Sequence, residues 1–246
     1  MPLKLGVNID HVATLRQVRF ATMLESPNAE PVLLDLAKEA VNGGADSLTI
    51  HLRADRRHIQ DHDVTVICES NLVPVNFEMG NTEEILEIAI AHKPAFVCLV
   101  PEIREEITTE GGLDVVSQRG PLKETIKRLQ GAGIQVSLFI NPDSPQLEVT
   151  KELGAEMVEL HTGAFANAID RGHELQRLID GATLGHQLGL QINAGHGINS
   201  SNISDLFQVP YLAEFNIGHH LVSRALTVGL HHAVAEMREL MDAYPG

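Results

Sequence analysis

The chain has 246 residues, 43% of them hydrophobic and 21% charged, with a formal net charge of -15 and no Trp. That is the composition of a soluble globular protein long enough for a large core, and it excludes a basic, aromatic-rich nucleic-acid binder. Two cysteines, Cys68 and Cys98, form no disulfide framework and suit a reducing cytoplasm; no apolar run approaches the ~18 residues of a membrane span, and a strand pattern at the N-terminus leaves no room for a leader.

In chain order, Leu3 to Asp10 reads as the first strand, with Asn8 and Asp10 on the face opposite Val7 and Ile9. A loop or short helix carrying His11, Arg16 and Arg19 follows. Leu33, Leu36, Ala37 and Ala40 give Pro31 to Asn42 a helical spacing that Gly43-Gly44 closes. The second strand, Ala45 to Leu52, puts Leu48, Ile50 and Leu52 on one face and Thr49, His51 and Arg53 on the other. After it come Arg53, Arg56, Arg57 and His58, a positive loop in an acidic chain, which suits a small anionic ligand. Asp55, Asp61 and Asp63 stand ready to neutralise the same loop.

The unit repeats. A helix around Asp63 to Glu69 leads to strand three, Val73 to Met79, and the helix Thr82 to His92, with Thr82 as cap and two glutamates behind it, leads to strand four, Ala95 to Val100. Helix Leu122 to Gln130 precedes strand five, Gln135 to Ile140, and helix Ser144 to Leu153 precedes strand six, Glu156 to His161. Helix Glu174 to Gln187, strand seven Leu190 to Ala194, a short helix Ser201 to Phe207, strand eight Glu214 to Ile217 and one long helix, Leu221 to Ala243, complete the chain. Eight strand-then-helix units in a length near the ~250 residues typical of the fold predict a single-domain (β/α)8 TIM barrel over residues 1–246. An open doubly wound sheet is the rival, and its G-x-G-x-x-G fingerprint is missing after strand one.

In a barrel, the inward strand faces fill the lumen. Here the inward set is polar: Asn8, Asp10, Thr49, His51, Arg53, Asn76, Glu78, Gln135, Ser137, Glu159, His161, Asn193, Glu214 and Asn216. Each polar group buried without a partner costs roughly 1–3 kcal/mol, so a lumen of this kind implies a site. A glutamate among histidines can act as a general base; Glu78 is preferred, because Glu159 has His161 two positions along to pair with. N-A-G-H-G after strand seven and N-I-G-H-H after strand eight offer glycine-flanked amides to an anion, where this fold commonly binds phosphate, and His196 can reach a ligand as an acid. The insertion Glu102 to Gly120, with Gly-Gly at 111–112, reads as a lid after strand four that brings Thr108 or Thr109 onto a ligand.

The runs G-V-N-I-D-H-V-A-T-L-R-Q, G-A-D-S-L-T-I-H-L-R-A-D-R-R-H-I, N-F-E-M, V-P-E-x-R-x-E-x-T-T-E-G-G-L-D-V, E-L-H-T-G, N-A-G-H-G and N-I-G-H, in this order along nearly the whole chain, resemble the pyridoxine 5'-phosphate synthase family. The resemblance implies condensation of 3-amino-2-oxopropyl phosphate with 1-deoxy-D-xylulose 5-phosphate to close a pyridine ring, releasing phosphate and water. It implies His51 and Glu78 as proton acceptors and His196 as proton donor. It implies Asp10, His11, Arg53, His58 and Thr108 as the deoxyxylulose phosphate site, and Asn8, Arg19, Gly197, Gly218 and His219 as the amino ketone phosphate site. It also implies small phosphorylated substrates, no metal or organic cofactor, and a homo-octamer. This chain departs from the family in F-A-T-M-L-E-S-P-N-A-E, a longer connection after Arg19.

Three alternatives are separable. A metal-dependent barrel is invited by thirteen histidines, yet the strand ends are expected to offer no compact His/Asp set at ligand spacing. A Schiff-base aldolase lacks a lysine at a strand end. A non-catalytic phosphosugar-binding barrel would share the pockets and show no turnover.

Overall fold

The computed structural model describes residues 2–102 and 111–246. Eight short strands, each too apolar on its outer face to remain in water, pair parallel with their sequence neighbours until the last meets the first, closing a barrel in the order 1 to 8. The order is β1 (Lys4–Asn8), α1 (Asp10–Phe20), α2 (Leu33–Asn42), β2 (Ser47–His51), α3 (Asp61–Ser70), β3 (Val75–Met79), α4 (Glu83–His92), β4 (Phe96–Leu99), α5 (Arg119–Gly131), β5 (Gln135–Ile140), α6 (Ser144–Leu153), β6 (Met157–His161), α7 (Gly163–Asn167), α8 (Gly172–Gln187), β7 (Gln191–Gly195), α9 (Ile203–Leu206), β8 (Leu212–Ile217), α10 (His219–Val228) and α11 (Leu230–Met241). This is the TIM barrel expected from the repeat.

Local chemistry sets the helix ends. Thr82 accepts a hydrogen bond from the Ile85 amide at the start of α4, with Glu83 and Glu84 in its first turn. Gln60 and Asp63 form a reciprocal capping box on α3. Asp63 serves twice: its carboxylate also receives both terminal nitrogens of Arg16, at 2.6 and 2.7 Å, tying α1 to α3 within the buried layer. Asp63 therefore neutralises Arg16 and not the loop after β2. The outward residues Leu48 and Ile50 are fully buried beneath the helices.

The stretch after β1, read as a loop or short helix, is the eleven-residue helix α1. Two elements differ from expectation. The turn after β6 winds into α7, which no apolar periodicity announces. The expected helix Leu221 to Ala243 is two helices, broken where Gly229 adopts φ 82 and ψ 154, a conformation open almost only to glycine. No helix among the described residues is long and apolar enough to cross a membrane.

Candidate active site

Strand register builds the site. In the parallel ladders, Asn8 lies opposite Thr49, Thr49 opposite Asn76, and His51 opposite Glu78; Asn193 lies opposite Glu214 and Gly195 opposite Asn216. Paired positions share a face, so these side chains meet in the lumen. There Ser47 donates to Glu214 (2.8 Å), Thr49 to Asn216 Oδ1 (3.0 Å), and Asn216 Nδ2 to Glu159 (2.6 Å). Glu159 thus pairs with Asn216 and not with His161, whose Nδ1 lies 3.3 Å from Asn141. The preference for Glu78 loses that support and rests on geometry instead. Gln135, expected inward, is exposed at the foot of β5.

Above this network opens a cavity of about 710 Å³, lined among others by Asn8, Asp10, His11, His51, Arg53, Glu78, Glu159, His196, Gly197, Gly218 and His219. The strand ends and the loops that follow them carry these residues to one mouth. His51 is held in its backbone by Asp10, whose carboxylate accepts the His51 amide at 2.8 Å; its Nδ1 stands 3.9 Å from Glu78. Loss of hydration on burial raises the Glu78 carboxyl well above its ordinary range, and the charges of Glu159 and Asp10 add to the effect. Burial pushes Glu159 to about 8, against the Asn216 hydrogen bond. Asp10 is raised by burial despite the opposing pull of His51 and Arg53.

The loop after β7 and the start of α10 also line the cavity. His196 and Gly197 both take positive φ, 79° and 80°, which folds the loop after β7 back on itself, and the single hydroxyl proton of Thr162 lies between the carbonyl oxygens of Gly195 and His196 (2.8 and 2.6 Å). The N-terminal turn of α10 borders the cavity through His219, His220 and Ser223, with Gly218 just before it. Such a helix end attracts negative charge. His11 and His219 meet edge to face at 5.1 Å across the mouth. Among the basic residues after β2, Arg56 is spent on Asp61 and Glu84 and Arg57 on Asp55. Arg53 faces the cavity, its Nε 3.4 Å from Asp55 but not aligned for a hydrogen bond.

Not every expected site residue converges. His58 sits just outside the cavity lining, its ring 6.0 Å from that of His51; burial, with His51 and Arg53 nearby, lowers it to about 4. Arg19 is exposed on the outer side of α1, over the Phe20 ring, and is not brought to the cavity of its own chain. Thr108 and Thr109, with residues 103–110 of the expected lid, lie outside the described residues. Glu102, read only as the start of the insertion, was not foreseen in the site: its Oε1 lies 2.7 Å from His51 Nε2.

The expectation of no metal-ligand set also needs correction. Asp10, His51 and Glu78 present ligand atoms within 4.8 Å of one another: register sets His51 beside Glu78, and the Asp10 carboxylate accepts the His51 backbone amide. Burial nevertheless holds both carboxyls toward their protonated forms, and a protonated carboxyl must lose its proton before it binds an ion.

Comparison with known proteins bears on the fold and the family. A 3-hexulose-6-phosphate synthase structure superposes with a TM-score of 0.62 over 96% of this chain and 99% of that one, at 14% identity, a likeness of fold. A protein of Akkermansia muciniphila named pyridoxine 5'-phosphate synthase is 57% identical over 241 residues, covering 97% of this chain and 98% of its own. One of the same name from Opitutus terrae is 50% identical, covering 97% and 98%. The family model described as pyridoxal phosphate biosynthesis protein PdxJ matches residues 5–243, and the chain belongs to that family.

Proposed function

We propose that this chain carries out the reaction for which its relatives are named, joining 3-amino-2-oxopropyl phosphate to 1-deoxy-D-xylulose 5-phosphate and closing the pyridine ring with release of inorganic phosphate and water. The observation that carries the proposal is one cavity shared by His51, Glu78 and His196. Condensing an amine with a ketone, eliminating phosphate and aromatising a ring are successive proton transfers, and each gains from exclusion of water.

In this reading His51 and Glu78 remove protons from the joined substrates. A glutamate whose ionised form is destabilised by burial and neighbouring carboxylates binds a proton tightly, which suits removal of one from carbon. His196, on the loop after β7, supplies a proton to a departing oxygen. Asp10, His11, Arg53, His58 and Thr108 hold the deoxyxylulose phosphate; Asn8, Arg19, Gly197, Gly218 and His219 hold the amino ketone phosphate. Arg53 and the start of α10 both line the cavity and supply positive potential to it, which favours bound phosphate groups. The whole of residues 1–246 acts as one barrel unit, in the cytoplasm, as a homo-octamer. The exposed apolar residues Leu15, Val18, Met23, Leu24 and Val32, on and around α1 and its connection to α2, support assembly.

The test is steady-state turnover with both phosphates. His51→Ala and Glu78→Gln are expected to lower kcat by roughly 10²–10⁴-fold while binding of each phosphate is nearly kept, and the unmodified protein is expected to work after exhaustive chelation. Equal losses in kcat and affinity would assign these side chains to positioning, and loss of activity on chelation would restore a metal to the site formed by Asp10, His51 and Glu78.

A further inference from the structure

Glu102 follows Pro101 at the end of β4, and its carboxylate gathers three nitrogens from two other strand ends. Oε1 lies 2.7 Å from His51 Nε2 and accepts from the Gly80 amide (3.2 Å), and Oε2 accepts from the Ala54 amide (3.1 Å). The side chain is about one-tenth exposed. A Cβ at residue 80 would stand 2.8 Å from the Glu102 carboxyl carbon, so the carboxylate can rest here only because Gly80 has no side chain. Burial opposes ionisation of Glu102, but the hydrogen bonds from His51 and Ala54 outweigh it and hold the carboxyl below its ordinary range.

An ionised carboxylate only accepts hydrogen bonds. The proton of a neutral His51 ring must therefore sit on Nε2, leaving the lone pair on Nδ1, the atom that stands 3.9 Å from Glu78. Asp10 fixes the backbone of the same residue. We infer that Glu102 is a positioning residue for the reaction: it selects the Nε2–H tautomer of His51, aims Nδ1 at the substrates, and stabilises the imidazolium formed once Nδ1 has taken a proton. The inference rests on His51 acting as the base. It follows the logic by which a buried carboxylate orients a catalytic imidazole, and no residue nearby in sequence announces it.

The experiment combines kinetics with 15N spectra of histidine-labelled protein, recorded with the His51 ring neutral, its signal being identified by its absence in His51→Gln. In the parent, His51 is expected as the Nε2–H tautomer. Glu102→Gln, and independently Gly80→Ala, which displaces the carboxylate from a distance, are expected to mix the tautomers and to lower kcat by roughly 10- to 100-fold, with KM for both phosphates little changed. An unaltered tautomer in both variants overturns the inference whatever the rate. So does an altered tautomer with parental kcat, provided His51→Gln is itself inactive. If His51→Gln turns over like the parent, the assignment of His51 as base fails instead, and the tautomer shift alone shows whether Glu102 holds the ring.

Discussion

Glu159 shows how lateral reach across a barrel outweighs proximity along a strand. Residues 159 and 161 point the same way but stand two strand positions apart, roughly 7 Å, whereas Asn216 reaches across the lumen to within 2.6 Å. The sequence displays the first relation and hides the second, which is why His161 looked like the partner. Buried, with its carboxyl raised to about 8, Glu159 binds its proton more tightly folded than unfolded. The stability this contributes is complete below the ordinary carboxylate range and is lost as pH rises through about 8. Glu159→Gln keeps the Asn216 hydrogen bond and removes the titration. Its Tm, measured against the parent from about pH 5 to about pH 9, is therefore expected to gain on the parent steadily as pH rises; a constant difference would mean that the group does not titrate in this range. Arg16 and Arg19 give the same lesson. Both stand on α1, and only the side each presents decides that Arg16 is buried on Asp63 while Arg19 is exposed.

At the scale of elements, most of the chain was legible because its punctuation is chemical. Thr82 before two glutamates and Gly154 after Leu153 mark helix ends that the structure keeps, and alternation marks the strands. What stayed hidden lacks such marks. The five-residue α7 has no apolar period to detect. The break between α10 and α11 falls at Gly229, which in sequence is one glycine inside a long amphipathic run, where glycine is often tolerated. Its φ of 82 and ψ of 154 show that the chain turns there. Gly229→Ala is expected to lower the unfolding free energy by about 1–3 kcal/mol, read by urea denaturation. An unchanged midpoint would mean that the two helices can join without strain.

A closed barrel gathers every strand end at one mouth, so the convergence of polar residues far apart in sequence was readable before their contacts were. His51, Glu78 and His196, from the ends of β2, β3 and β7, do share one cavity. Glu102 escaped notice because its partners lie on strands two and three while it follows strand four. Assembly is written on no single element; the apolar residues about α1 predict that light scattering finds an eight-chain mass, and a monomer at working concentration would leave Leu15 and Val18 without a reason to be exposed. The condensation itself is tested most directly by mixing both phosphorylated substrates with the unmodified protein and following inorganic phosphate and pyridine fluorescence together. Matched release of phosphate and ring product, absent when either substrate is omitted, is the expected result. Binding of both phosphates with neither product formed would contradict it.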